Sequence, residues 1–232
     1  MFCGMPAGGA AVALIARFAG PDLDWRTIFL IGGVAPLALA PILFLLLPET
    51  RPQATEGADR RLSSTLFGER RAVGTLLLWA VFVLTLVVLY LMLNWLPTLG
   101  IAKGFTAADG ATASLWFNLV SIVGALLVGF IVDRLGFRWP LVATYGLLAV
   151  VMYGLSGATG LPMILALSGA AGFLVLGAQY SLYAVAPMLY PAHARAAGAG
   201  AAVAVGRLGS IAGPLVAGEL RQAGFTAGEV FG

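Results

Sequence analysis

Residues 73–99 read VGTLLLWAVFVLTLVVLYLMLNWLPTL, a stretch that contains no charged side chain. A helix that crosses the hydrocarbon core of a bilayer needs about 20 predominantly apolar residues. Because lipid offers the backbone no hydrogen-bond partners, a spanning segment of this kind must satisfy its own amide and carbonyl groups as a helix. The stretch therefore predicts an all-α protein that is built inside a membrane.

Comparable stretches occur on both sides of this one and predict a polytopic membrane protein with about seven transmembrane helices. The predicted spans are Met1–Ala19, Ile28–Leu47, Val73–Leu99, Ala111–Val132, Leu141–Gly157, Pro162–Tyr190 and Ala196–Gly218. The first is the weakest, because it is rich in glycine and contains Arg17. A secretory signal peptide is the alternative for it, although no basic residue precedes its apolar stretch. Pro187 is expected to break the sixth span near its end.

The composition of the whole chain agrees with a membrane protein. Hydrophobic residues make up 60% of the 232 residues and charged residues 10%, whereas a soluble domain carries about 25% charged residues. A water-soluble enzyme, a nucleic-acid-binding domain and a disordered linker are therefore excluded. The chain has one cysteine, Cys3, and one histidine, His193, so no internal disulfide, metal site or cofactor is expected.

Lysine and arginine are concentrated in every second connection between the predicted spans, which sets the orientation of the chain. The basic residues of these connections are Arg51, Arg60, Arg61, Arg70, Arg71, Arg134, Arg138 and Arg195. The connections between them hold only Arg26 and Lys103. Because basic loops stay in the cytoplasm, we expect a multi-pass protein of a bacterial-type inner membrane with a cytoplasmic N-terminus.

The longest polar stretch, residues 48–72, is predicted to be a central cytoplasmic loop between two membrane bundles. Two spans in residues 1–47 precede it, five spans in residues 73–218 follow it, and residues 219–232 are predicted to be a tail outside the membrane. Many transporters are built from repeated helix units. Two plus five spans do not fill such repeats, so the chain is expected to be a fragment.

Several short motifs resemble one group of membrane transporters. The run Gly129-Phe-Ile-Val-Asp133-Arg134-Leu-Gly136-Phe-Arg138 resembles the G-x-x-x-D-R-x-G-R-R loop of the major facilitator superfamily, with Phe137 in place of the first basic residue of the final pair. Further motifs, taken together, resemble the aromatic acid:proton symporter family within it. They are Trp25–Phe29, Gly32–Pro36, Leu47–Thr50, Leu93–Pro97, Tyr183–Pro187 and Ala204–Gly209.

This resemblance implies two six-helix bundles around a central substrate cavity, of which the chain supplies helices five to eleven. It implies uptake of small aromatic carboxylates, such as hydroxyphenylpropionate or hydroxybenzoate, by proton symport with alternating access. The expected partners are this substrate, the proton and the lipid bilayer, and not nucleic acid. The ten acidic residues lie in loops or at span ends, so coupling acids are expected in the missing N-terminal helices, which a complete carrier needs.

Arg207 is the most costly residue of the sequence, because it lies inside the last predicted span. A charge near the middle of a bilayer costs at least about 2.5 kcal/mol on insertion scales. A substrate carboxylate would suit it, since a guanidinium binds a carboxylate through two hydrogen bonds. The alternatives are a bond to carbonyl groups of a neighbouring helix, or a place in the cytoplasmic gate.

Four further polar residues inside the spans are candidate substrate-binding residues. Asn94 precedes Pro97, which frees the carbonyl group of Leu93; the alternative for this segment is a helix end anchored at the membrane surface. Gln179 and Tyr183 are four residues apart, so they share a helix face and could contact an aromatic ring, or else make interhelical hydrogen bonds. Asn118 is a weaker candidate of the same kind.

The loop motif predicts a conformational latch made of Gly129, Asp133, Arg134, Gly136 and Arg138. The last span begins on the same side of the membrane, and a helix N-terminus carries partial positive charge and free N–H groups. Asp133 docked there would hold the cytoplasmic side closed, a conformational role that the resemblance also implies. The alternative is a solvated charge pair.

Two pairs of glycines are predicted to permit close helix packing. They are Gly4 with Gly8 in the first span and Gly209 with Gly213 in the last. In the fold that the resemblance implies, these spans lie against the opposite bundle, where small residues would permit rocking.

Two other functions remain open at this point. The chain is a truncated membrane protein that does not transport, or it belongs to a carrier for another small organic anion. An intramembrane enzyme has no support, since the sequence offers no nucleophile–base pair or metal cluster.

Overall fold

A computed structural model describes residues 4–18, 25–46, 66–68 and 71–224. This part of the chain forms seven α-helices and contains no β-strand, which confirms the all-α prediction. The helices are α1 (Gly4–Phe18), α2 (Trp25–Leu46), α3 (Ala72–Ala102), α4 (Ala107–Leu135), α5 (Arg138–Gly157), α6 (Leu161–Val185) and α7 (Arg195–Gln222).

Five helices among the described residues, α3 to α7, are long and apolar enough to cross a membrane. In the first two predicted spans the apolar helical stretches are shorter, Pro6–Ile15 and Gly32–Leu46. Helix α6 ends at Val185 and is followed by the 3-10 helix Ala186–Leu189, so the break expected at Pro187 is present. Most of the predicted central loop and much of the predicted tail lie outside the described residues.

The most extensive helix contacts join α4 to α6 and α3 to α7, while α1 packs on α4 and α5 packs on α6. Glycine allows the α4–α6 pair to approach to backbone contact. A Cβ atom at Gly124 would meet the backbone of Phe173, and one at Gly172 would meet the backbone of Phe117. We call this interface the α4–α6 seam.

Large apolar side chains cover the outward faces of the helices. Phe44 is 88% exposed and Trp139 is 82% exposed. An apolar surface of this extent is unfavourable in water, but it is the surface that a helix bundle presents to lipid. The structure therefore agrees with a multi-pass membrane protein.

Both ends of α4 have clear local causes. Thr106 and Asp109 form a capping box at its start, in which the Thr106 side chain accepts the Asp109 amide at 3.2 Å and the Asp109 carboxylate accepts the Thr106 amide at 3.1 Å. Gly136 follows the helix with a φ of +77°, a backbone conformation that glycine adopts without steric cost. This glycine lets the chain turn from α4 into α5.

At the end of α3, Lys103 fastens this helix to the end of α5. Its Nζ donates hydrogen bonds to the carbonyl oxygens of Ser156, at 2.9 Å, and of Ala158, at 2.5 Å. These carbonyl groups lie at the C-terminus of α5, where a cation is favourable. Desolvation by burial lowers the pKa of Lys103 from its ordinary value of 10.5.

Candidate functional site

Arg207 lies in the middle of α7, twelve residues after Arg195 in a helix of 28 residues. Its Nη1 donates a hydrogen bond to the hydroxyl oxygen of Tyr90 on α3 at 3.1 Å. The carbonyl oxygen of Tyr90 accepts a hydrogen bond from Nδ2 of Asn94 at 2.7 Å. The three residues form one polar group, which we call the Arg207–Tyr90–Asn94 group, and both Arg207 and Asn94 are exposed in it.

This group is chemically suited to an anion. A guanidinium carries five N–H donors, so the bond to Tyr90 leaves several donors of Arg207 for a ligand. The fixed fork of these donors matches the two oxygens of a carboxylate. Arg207 lies within a helix that is long and apolar enough to cross a membrane, and charge-assisted hydrogen bonds are stronger in surroundings of low dielectric constant.

A cavity of about 810 Å³ lies between α1, α3 and α4. Its volume is in the range of small-molecule sites, about 300–1,000 Å³. The lining is mostly apolar and includes Val12, Met92, Leu96 and Phe117. We call it the α1–α3–α4 cavity, and it is large enough to hold an aromatic ring.

One face of α3 connects this cavity to the Arg207–Tyr90–Asn94 group. Leu93, Asn94 and Pro97 follow Tyr90 by three, four and seven residues, so they lie on the same side of the helix as Tyr90. Leu93 and Pro97 line the cavity, whereas Tyr90 carries the bond to Arg207. The residue that bonds Arg207 and two residues of the cavity lining therefore lie on one side of α3.

Asn118, the weaker candidate from the sequence, lines the α1–α3–α4 cavity and is only 5% exposed. Its Nδ2 donates to the carbonyl oxygen of Ser114 at 2.8 Å. Gly9 of α1 lies directly opposite, since a Cβ atom there would meet the Asn118 side chain, its Oδ1 first. Glycine at position 9 thus makes the room that the amide oxygen occupies.

Gln179 and Tyr183 point into the protein rather than into this cavity. Gln179 is 1% exposed, and neither atom of its amide has a hydrogen-bond partner among the described residues. The Tyr183 ring packs against Phe82 of α3 with the ring centres 5.6 Å apart. The structure does not bring these two residues together with Arg207 or Asn118 in a common cavity lining.

The predicted latch residues lie at the C-terminal end of α4 and the start of α5. Asp133, Arg134 and Arg138 are exposed, and the Arg134 guanidinium lies 4.6 Å from the centre of the Phe130 ring. Within the described part of the chain Asp133 has no hydrogen bond or ion pair, so its expected docking at the start of α7 is not formed in this conformation. Gly129 has open space beside it.

The glycine pairs differ in what surrounds them. At Gly209 and Gly213 a Cβ atom would meet the backbone of α3, at Val83 and Val87. These two glycines therefore pack α7 onto α3 and do not face α1 or α2. At Gly4 and Gly8 no atom of the described residues lies within 4 Å of such a Cβ atom, and the close contact of α1 is made by Gly9 instead.

A second, largely apolar cavity of about 930 Å³ lies between α3, α5 and α6, with Arg138 in its lining. Beside it, the hydroxyl groups of Thr85 and Tyr145 form a hydrogen bond of 2.6 Å. Neither cavity brings together groups that would hold a metal, and the described residues contain no cluster of three or more His, Cys, Asp or Glu side chains.

Sequence reasoning missed three residues of the site, namely Tyr90, Ser114 and Gly9. A tyrosine inside an apolar span is not distinctive, although its spacing of four residues from Asn94 was a usable signal. Ser114 shares the same spacing with Asn118. Gly9 carries no local signal, because its importance depends on which residue of α4 lies opposite.

Comparison with known protein families gives a match over most of the chain. The sequence profile described as Major Facilitator Superfamily matches residues 1–214. The chain is 39% identical, over 225 residues, to the 3-(3-hydroxy-phenyl)propionate transporter of Escherichia coli (strain K12), with 97% of this chain and 55% of that protein covered.

Other similar proteins are a gallate transporter and a 4-hydroxybenzoate transporter, both of Pseudomonas putida. The gallate transporter is 33% identical, with 97% of this chain and 57% of that protein covered. The 4-hydroxybenzoate transporter is 29% identical, with 92% of this chain and 55% of that protein covered. The chain thus spans about half the length of the curated relatives that it matches.

Among solved structures, the fold is similar to that of a bacterial homologue of the human lysosomal transporter Spinster, in an inward-facing and unoccupied conformation. The TM-score is 0.64 at 15% sequence identity, and the match covers 97% of this chain and 56% of that chain. At this level of identity the likeness concerns the fold alone.

Proposed function

The chain belongs to the Major Facilitator Superfamily, and on that basis we propose that it forms part of a carrier that takes up small aromatic carboxylates. The observation that carries the proposal is the Arg207–Tyr90–Asn94 group, a cationic group in the middle of a membrane helix, together with an apolar cavity lined by Leu93 and Pro97 on the same side of α3. A carboxylate and an aromatic ring joined in one small molecule match this pair of features. The similar proteins from E. coli and P. putida are named as transporters of aromatic acids.

Alternating access is proposed as the mechanism. On this proposal α1 and α2 belong to one bundle, residues 48–72 form the cytoplasmic loop between bundles, and α3 to α7 belong to the other bundle. The N-terminus lies in the cytoplasm of a bacterial cell bounded by an inner membrane. Asp133, Arg134, Gly136 and Arg138 then lie on the cytoplasmic side, where they would form a latch in a second conformation.

Proton symport is proposed with the coupling carboxylate outside the described residues. The described carboxylates Asp109, Asp133 and Glu219 all lie within a few residues of a helix end. A group that couples transport to protons must be reachable from both sides of the membrane. The described helices would therefore supply substrate binding, and another part of the carrier would supply the proton site.

Gln179 is proposed as a second polar contact that opens to the substrate during the transport cycle. Its amide is fully buried without a hydrogen-bond partner in the described part of the protein, and such a group costs about 1–3 kcal/mol. A conformation that exposes this amide to the substrate would remove that cost. Tyr183, one turn away, would then offer its ring to the same ligand.

A second candidate function is transport of a small organic anion that is not aromatic. The observation in its favour is that the donors of Arg207 recognise any carboxylate. The apolar lining of the α1–α3–α4 cavity favours the aromatic substrate, since a short polar acid would leave it unfilled.

The test is uptake by a graft in which this chain replaces the matched region of the E. coli relative. We expect cells that carry the graft to accumulate 3-(3-hydroxyphenyl)propionate, and a protonophore to abolish the accumulation. Arg207→Gln should reduce uptake at least about tenfold, because it removes the charge that pairs with the carboxylate. Uptake by Arg207→Gln equal to that of the unsubstituted graft, at equal amounts in the membrane, would refute the role of Arg207.

A further inference from the structure

Two polar side chains, Ser114 and Asn118, line the α1–α3–α4 cavity, and the Asn118 amide offers an acceptor as well as donors. One N–H of Asn118 Nδ2 donates to the carbonyl oxygen of Ser114 at 2.8 Å, and the Ser114 hydroxyl donates to the carbonyl oxygen of Gly110 at 3.3 Å. The Asn118 Oδ1, beside Gly9, has no donor among the described residues. The cavity thus offers an acceptor, Asn118 Oδ1, to which a ligand hydroxyl group can donate.

The α3 side of the cavity adds a second acceptor. Pro97 has no N–H group, so the carbonyl group of Leu93 lacks its helical hydrogen bond. Both residues line the cavity. A ligand in this place therefore meets carbonyl-type oxygens from α3 and from α4.

An anion is disfavoured here. No charged side chain lines the cavity, so a carboxylate there would lack a charged partner, and burying an unpaired charge has a high free-energy cost. The first turn of α4 reaches the cavity through Ala107 and Ala108, but the Asp109 carboxylate lies at the same helix start. Its negative charge opposes a second anion there.

Asn118 lies at the depth of the Arg207–Tyr90–Asn94 group. Helices α3 and α4 form a hairpin in which Gly110 touches the backbone of Pro97. Asn118 is eight residues after Gly110, or about 12 Å along the helix, which is the distance from Pro97 back to Leu89. A flat ligand can therefore lie across Leu93, with one end at Arg207 and the other at Asn118.

We propose that the α1–α3–α4 cavity is the subsite for the substrate ring, and that Asn118 Oδ1 accepts a hydrogen bond from a hydroxyl group on that ring. The inference rests on the proposed function, because it assumes that Arg207 holds the carboxylate. It assigns a residue, Asn118, to the selection of phenolic acids over the same acids without the hydroxyl group. Gly9 belongs to this subsite, since it leaves space for the Asn118 oxygen.

The experiment measures uptake of matched pairs of acids by the graft into the E. coli relative described above. The pairs are 3-(3-hydroxyphenyl)propionate with phenylpropionate, and 4-hydroxybenzoate with benzoate. In the pair whose hydroxyl group reaches Asn118, we expect the graft to take up the phenolic acid about tenfold better than its partner acid, since only the phenolic acid donates a hydrogen bond to Asn118 Oδ1. Equal uptake of phenol and partner in both pairs would overturn the inference without any variant.

Two variants then assign the preference to a residue. Asn118→Leu removes the acceptor at similar size and should bring the ratio close to one, mainly through loss of phenol uptake. Ser121→Ala is the matched control, because Ser121 is buried on the same helix and bonds to the backbone oxygen of Asn118 at 2.7 Å without lining the cavity. It should keep the tenfold ratio.

The outcomes separate the two proposals. A graft that reaches the membrane and takes up neither member of either pair overturns the proposed function and this subsite with it. Loss of both members in Arg207→Gln, together with a preserved phenol preference in Asn118→Leu, supports the carboxylate site and overturns the subsite. A ratio near one in Asn118→Leu, with partner acids still taken up, supports both.

Discussion

Helix α4 has two neighbouring faces, of which one packs closely on α6 and the other borders an open cavity. Along one face, Ser121, Gly124 and Val128 are buried and form the α4–α6 seam and its surroundings, while Phe117 contributes its backbone to the seam and also lines the cavity. Along the other face, Ala107, Ala111, Ser114 and Asn118 border the α1–α3–α4 cavity. The first face touches the backbone of α6, whereas the second borders a cavity of about 810 Å³.

The comparison shows that close helix packing and ligand-facing polar groups occupy different faces of α4. In lipid, helices do not associate through the hydrophobic effect, so close packing of small residues supplies much of the association. The seam uses glycine for this purpose and carries no ligand-facing polar group. The cavity face carries its polar groups on one short stripe, where a fixed α4 holds them in place.

The largest expected effect comes from breaking the seam. In Gly124→Ala the new Cβ atom would meet the backbone of Phe173, which cannot move aside as a side chain can. Overpacking of this kind costs about 3 kcal/mol, or roughly 6–12 °C in melting temperature for a chain of this size. Thermal unfolding of the chain in detergent measures it.

The matched control on the same helix is Gly129→Ala, since Gly129 has open space beside it. Alanine is the better helix former by about 1 kcal/mol, so its melting temperature should stay constant or rise slightly. Equal melting temperatures for the two variants would show that α4 and α6 are not in backbone contact at Gly124.

A smaller effect is expected from changing the opposite face. In Gly9→Ala the Cβ atom would meet the Asn118 side chain, which can rotate away at modest cost. We expect the melting temperature to fall by only about 2–4 °C, for a loss of about 1 kcal/mol. The preference of the graft for phenolic acids should fall severalfold, because the amide oxygen is displaced.

Gly8→Ala is the control for this change. Position 8 has no atom of the described residues within 4 Å of an added Cβ atom, so stability and phenol preference should both be kept. A Gly9→Ala graft with full phenol preference would mean that the position of the Asn118 oxygen next to Gly9 does not matter for recognition.

Much of the fold was predictable because hydropathy alone decides which segments enter a membrane. The sequence predicted the start of α4 at Ala111, and the structure places it at Ala107. The reason is the Thr106–Asp109 capping box, a local signal that an apolar window does not register. The helix break predicted at Pro187 is confirmed, because proline interrupts a helix through its own backbone and does not depend on the surrounding packing.

The faces of the helices were not predictable in the same way. Almost every side of α4 and α6 is apolar, so periodicity does not tell a lipid face from a seam. Arg207 was identified because its charge is costly anywhere in a span, whereas Tyr90 became visible only through its bond to Arg207. Gln179 and Tyr183 were correctly placed on one helix face, but the side to which that face turns depends on packing with α3.

The most limited expected effect, on stability alone and not on substrate preference, lies outside both faces of α4, at the Lys103 hydrogen bonds between α3 and α5. Lys103→Met removes the hydrogen bonds to the Ser156 and Ala158 carbonyl oxygens. Since Lys103 is only partly buried, we expect a loss of about 1 kcal/mol, or about 2–4 °C in melting temperature. Phenol preference should be unchanged, because Lys103 does not line the α1–α3–α4 cavity.

The same lysine predicts the sign of a pH effect. Desolvation lowers the pKa of Lys103 in the folded protein below its ordinary value of 10.5, so over the interval between the two values the unfolded chain binds more protons. Stability conferred by this group therefore rises as the pH rises through that interval. Melting curves of the unsubstituted chain and of Lys103→Met, compared at neutral pH and near pH 10, should show the difference between them widen at the higher pH. A difference that narrows would mean that the folded protein holds the ammonium proton more tightly than the unfolded chain does, and that the bonds to the two carbonyl groups outweigh desolvation.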